Sequence, residues 1–174
     1  METDGGGWTL VLNYLHKGGT NPSLNTRATD LPLLGRSSLG IDESLSPTWG
    51  HTSPAMSDNL SFTELRFYGK TSNNHNRIIH FKTSHSNTIN YFKTGTGSMD
   101  GINSDFTPFT DHTAKLPGST ANYFSGEGNL AMTNFPFWLG GTYHWGIRGM
   151  GSRWEVDDYP GDYRYNTHHQ IWIR

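Results

Sequence analysis

The groups best able to do chemistry concentrate between Gly141 and His169. Glu155, Asp157, Asp158 and Asp162 place four carboxylates within eight residues, interleaved with Trp154, Tyr159, Tyr163 and Tyr165. Carboxylates this close repel one another, so the group needs a cation, a shared proton or open water around it. Hard oxygen ligands in a loop bent by Gly and Pro suit Ca²⁺, which accepts about six to eight oxygens in loose geometry. An ion with open positions takes sugar hydroxyls directly, while Trp or Tyr faces stack on the apolar side of a ring. A solvated acidic loop above buried aromatics accounts for the same composition. The spacing is not that of an EF-hand. Two of the carboxylates, Glu155 with Asp158 or Asp162, would also suit glycoside hydrolysis at the right separation.

Other candidates are weaker. His144 and the pair His168-His169 suggest a metal or an acid–base role, but adjacent residues of a strand point to opposite faces, so at most one of the pair joins His144. Hydrogen-bonded histidines packed beside Trp and Tyr explain them as well. Asp100, Asp105 and Asp111 offer a second oxygen-type cation site, or an ordinary series of Asx turns. Gly5-Gly6-Gly7 precedes a strand and so is no phosphate loop; it predicts tight packing or positive φ beside Trp8. Neither Ser119 nor Ser152 sits in a nucleophile elbow.

The elements that must position these groups follow from composition and alternation. With 174 residues the chain is long enough for one domain. Only 16% of residues are charged, Thr, Ser and Asn make up 50 of the 174, and 23 are aromatic, so the core rests on rings more than on Leu and Ile. A net charge of −2 without a Lys/Arg cluster excludes an electrostatic nucleic-acid footprint. No stretch is long and apolar enough to span a bilayer. Zero cysteines removes disulfides, thiolate nucleophiles and Cys-ligated zinc together.

Trp8–Tyr14 predicts an opening strand after three glycines. Phe62–Tyr68 and Arg77–Lys82 predict an antiparallel hairpin, with Leu65, Phe67, Ile79 and Phe81 on one face and Arg66, Tyr68, His80 and Lys82 on the other. Thr88–Lys93 reads as a fourth strand, and Ile171–Arg174 as a closing strand. The breakers between residues 16 and 59 allow short helical turns near Leu24–Leu34 and Ser37–Leu45. The expected fold class is α+β, strand-dominated and loop-rich, with the sheet closed by both termini and a ligand lobe over residues 95–170.

Asp4-Gly5-Gly6-Gly7-Trp8-Thr9-Leu10-Val11 resembles the opening of the fibrinogen-related domain, in particular the bacterial GGGWT group related to the X-type lectins called intelectins. Trp145–Gly149, Trp154–Pro160 and Thr167–Arg174 resemble later parts of that group, so the likeness frames both ends of the chain. It implies a fibrinogen C-terminal-like fold that binds ligands without turning them over. Relatives use Ca²⁺, and the lectin members hold exocyclic vicinal diols of glycans through the ion.

Carried over by position, Glu155 and Asp158 resemble the acidic ligands, with Asp157 the alternative if the register slips by one. Tyr163 and Tyr165 stand where the aromatic wall is placed, and His168 matches a Thr-His pair. Asp111 resembles one acidic position of the fibrinogen-type calcium site, although Asp111-His112-Thr113 keeps a single carboxylate of that pattern. The cysteines of animal relatives are absent, and the one preceding the glycine motif is expected upstream.

The resulting expectation is a non-enzymatic, calcium-assisted carbohydrate-binding module of a surface or secreted bacterial protein, its targeting signal upstream. Glu155, Asp157, Asp158 and Asp111 would serve the ion. Trp154, Tyr159, Tyr163, Tyr165 and His168 would shape the pocket for a diol-bearing sugar of a cell-surface glycoconjugate. A shallow site of this kind binds weakly, so homo-oligomers or tandem modules are expected to add grip. The competing readings are a structural or protein-binding adhesin module and, less favoured, a glycoside hydrolase.

Overall fold

The computed structural model describes residues 2–17, 50–52, 60–71, 78–94, 105–113, 137–139, 142–147, 154–156 and 166–174, with the backbone alone at 137–139, 142–147, 154 and 155. Six strands form one sheet: β1 (Thr9–His16), β2 (Gly50–His51), β3 (Leu65–Thr71), β4 (Ile78–Thr83), β5 (Thr107–Pro108) and β9 (Thr167–Ile173). Their order is β2-β1-β9-β3-β4-β5, and every neighbouring pair is antiparallel. A second sheet has the order β6-β7-β8, from Phe137–Leu139, Thr142–Ile147 and Trp154–Val156. Among the described residues there is one α-helix, α1 (Ser86–Thr94). Among the described residues the architecture is thus strand-dominated, antiparallel sheet with one helix, which is compatible with an α+β class.

Alternation decides the faces. The pairings Leu12↔Ile171, Ile171↔Phe67 and Phe67↔Phe81 run one apolar row across four strands. All four residues are buried, and the Phe67 and Phe81 rings stack at 5.2 Å. The next row, Tyr14, His169, Gly69 and Ile79, remains on this core face. The hairpin expected from the sequence is present with the expected faces. The two terminal strands do more than close the sheet: β1 and β9 pair with each other inside it, between β2 and β3.

The strand expected at Thr88–Lys93 is instead α1. Its β-branched and aromatic residues favour a strand locally, but the buried set Thr88, Ile89, Tyr91 and Phe92 has helical spacing and lies on the core. Phe92 meets Phe67 edge-on at 5.4 Å. The turn is enforced upstream. The Thr83 hydroxyl accepts the His85 N–H at 3.0 Å and donates to the Asp105 carbonyl, ending β4. The His85 carbonyl then accepts the Ile89 N–H, and its imidazole lies 2.9 Å from the Thr88 hydroxyl. The helical turns expected near Leu24–Leu34 and Ser37–Leu45 lie outside the described residues.

Before β1, Thr3–Gly5 form a 3₁₀ turn, and Asp4, Gly5, Gly6 and Gly7 all have positive φ, from 52° to 83°. The positive φ expected of the glycine motif is thus found. No described helix is long and apolar enough to cross a membrane.

Candidate functional site

The expected ligand residues fall into two groups. Asp157, Asp158, Tyr159, Tyr163 and Tyr165 lie outside the described residues. Trp154 and Glu155 belong to β8, in register with Ile147 and Gly146 of β7. Val156 follows them at 1% exposure as part of the hydrophobic core. The chain re-enters the described structure at Asn166 and is buried again at Thr167, 0% exposed, where β9 begins. Most of the acid–aromatic segment therefore lies between two core anchors, and β8 packs against β9 itself.

His168 and Asp111 share the sheet face opposite the core. In β9 the residues alternate: His169 is fully buried on the core side, while His168, Gln170 and Trp172 take the other. His168 Nε2–H and Gln170 Nε2–H both donate to Asn13 Oδ1, at 2.8 and 2.9 Å. The His168 ring meets Tyr68 edge-on at 5.8 Å, and Tyr68 in turn meets His80 at 5.3 Å and Trp172 at 6.5 Å. Burial pushes the His168 imidazole below its ordinary pKa and the Tyr68 hydroxyl above its own.

Asp111 is reached through His80. The chain after β5 hooks back along β4: Phe109 N–H bonds to the His80 carbonyl, and Thr113 N–H to the Ile78 carbonyl. His112 Nδ1 accepts the His80 backbone N–H at 2.8 Å, and the Thr113 hydroxyl accepts the Ile78 N–H at 3.0 Å. Asp111 Oδ1 lies 2.5 Å from His80 Nδ1, its side chain 49% exposed against 6% for His80.

The protonation of His80 follows from its partners. Arg66 Nε–H is always a donor and reaches His80 Nε2 at 2.8 Å, so that nitrogen holds a lone pair. The proton therefore sits on Nδ1, facing Asp111. Burial lowers the His80 pKa, and the Arg66 charge adds to that, against the pull of Asp111. Both ring nitrogens are engaged.

Arg66 is buried, with its guanidinium 4.1 Å from the Trp172 ring centroid and 5.3 Å from that of Phe109. Desolvation lowers its pKa, opposed first by Asp111. This face is thus a polar–aromatic layer in which Asn13, Arg66, His80 and Trp172 are buried and Tyr68 and His168 are partly exposed.

Sequence reading placed Arg66, Tyr68 and His80 on one face but gave them no role. The missing information was the β3–β9 register, Arg66↔Trp172 and Tyr68↔Gln170. Among the described residues no three His, Asp or Glu side chains group to hold a metal ion. No protein-family model, curated protein or solved structure matches the chain.

Proposed function

We propose that this chain is a fibrinogen-like, calcium-assisted glycan-binding module, non-enzymatic and displayed at a cell surface or secreted. The observation that carries the reading is the setting of the acid–aromatic segment. Residues 157–166 begin just after Val156, in the hydrophobic core, and end just before Thr167, which is fully buried, and the strands that carry these two residues pack together. A segment so tied can vary in composition for recognition while the scaffold fixes its ends. Its carboxylates suit a hard cation, and its tyrosines suit a sugar ring. The fibrinogen-like part of the reading rests on the resemblance of Asp4–Val11, Trp145–Gly149, Trp154–Pro160 and Thr167–Arg174 to that group.

In this reading Glu155, Asp157 and Asp158 hold Ca²⁺, with Asp111 a further acidic group, and the ion takes vicinal hydroxyls of a glycan. Trp154, Tyr159, Tyr163, Tyr165 and His168 shape the pocket, and avidity comes from oligomers or tandem copies. A glycan array probed in Ca²⁺ and again in chelator tests it. Binding of diol-bearing sugars that disappears in chelator is the expected result. Equal binding in both conditions, or no glycan preference beside a captured protein partner, would replace it with the adhesin reading. Turnover of a chromogenic glycoside, abolished by Glu155→Gln, would make the chain a hydrolase instead.

A further inference from the structure

The charged cluster at the meeting of the two chain ends has a composition the glycan reading does not use. Arginine offers five N–H donors in a planar fork. In Arg174, Nε donates to Glu64 Oε2 at 2.7 Å, and Nη1 donates to the main-chain carbonyls of Asp4 and Gly6 at 2.6 and 3.0 Å. Nη2 lies 2.8 Å from Asp4 Oδ2 and 2.5 Å from Glu64 Oε2. The fork is therefore saturated. The guanidinium carbon sits 4.4 Å from the Trp8 ring centroid, which closes one side.

The walls are built for this shape. Two main-chain carbonyls, Asp4 and Gly6, converge on one nitrogen from an arm in which four successive residues have positive φ. An added Cβ at Gly7 would stand 3.3 Å from Arg174 Cδ, so the glycine leaves the room in which the side chain runs. Lys82 Nζ braces the carboxylates from outside, 2.6 Å from Asp4 Oδ2 and 3.4 Å from Glu64 Oε1. A lysine at position 174 carries three donors on one nitrogen and could not reach the two carbonyls and both carboxylates at once.

We propose that Asp4–Trp8 and Glu64 form a guanidinium-binding site, whose ligand class is the arginine side chain and whose resident occupant is Arg174. The arm and the end of β9 are thereby clasped by recognition of shape, beyond attraction of charge.

Chemical rescue tests this in the full chain. Arg174→Ala lowers the Tm, and millimolar ethylguanidinium restores at least half of the loss, whereas ethylammonium at equal ionic strength does not. Rescue is absent from Asp4→Asn/Arg174→Ala. Equal effects of the two cations, or none, would overturn the proposal. Arg174→Lys should lose nearly as much as Arg174→Ala; stability equal to the parent would count against shape recognition. Should Arg174→Ala not fold, the unaltered chain still decides: Arg174 Nε–H is expected to exchange with water at least tenfold more slowly than in free arginine, and exchange at the free rate would overturn the site.

Discussion

At the scale of single residues, the orientation of an imidazole can be reasoned from what it faces. His80 accepts from Arg66 and donates to Asp111, and His168 donates to Asn13. Burial lowers both pKa values below the ordinary 6.5. The unfolded chain then binds more protons than the native one as the pH falls through this range. Their stabilising contribution is complete above the unfolded value and is lost as the pH drops towards the folded values. Urea midpoints should therefore fall between pH 7 and pH 5, with a shallower fall in His168→Asn; a flat profile would refute this.

The glycines make a second residue-scale prediction. Gly5→Ala and Gly7→Ala each force a left-handed alanine, a cost of about 1 kcal/mol. Gly5 has open space for the Cβ while Gly7 does not, so Gly7→Ala should lose more in chemical denaturation and should disturb the Arg174 guanidinium signals. The backbone demand at these glycines was legible from their place before Trp8. Their occupant was not, because Arg174 lies at the other end of the chain. For the same reason Arg66, Tyr68 and His80 could be put on a face without revealing Trp172 above them.

At the scale of elements, β3, β4 and the two terminal strands were legible because half-buried strands alternate with period two. The helix α1 was misread because Thr, Ile, Tyr and Phe suit either state over so short a run. Tertiary packing on Phe67 decided for the helix, while the Thr83–Thr88 hydroxyls supplied its start. The hook after β5 was equally hidden, since its bonds are side chain to edge backbone. It protects the β4 edge: without His112 and Thr113 the N–H groups of His80 and Ile78 lose these acceptors. His112→Ala should raise hydrogen exchange at the His80 amide roughly fivefold, for a bond worth about 1 kcal/mol, and leave the Ile171 amide of β9 unchanged. Unchanged exchange at His80 would show that the side chain is dispensable there. Within the core, Phe67→Ala should cost about 3–5 kcal/mol in urea unfolding, since its ring touches both Phe81 and Phe92.

At the scale of the whole molecule, the last strand lies between the first strand and the hairpin, so both chain ends are needed to complete the main sheet. No local pattern predicts that order; it follows from long-range pairing of Leu12, Ile171 and Phe67. The arrangement leaves the acid–aromatic stretch between β8 and β9 spanning two anchors, which is where calcium-assisted binding is proposed. The most direct test is the thermal unfolding midpoint with Ca²⁺ and with chelator, for the parent chain and for Glu155→Gln/Asp158→Asn. An ion bound to the native state alone, at about 100 times its Kd, adds ~2.7 kcal/mol. For a chain of this size that is a rise of about 5–10 °C. The account predicts such a rise in the parent chain and its loss in the double variant. No rise in the parent, or one that survives both substitutions, would contradict it.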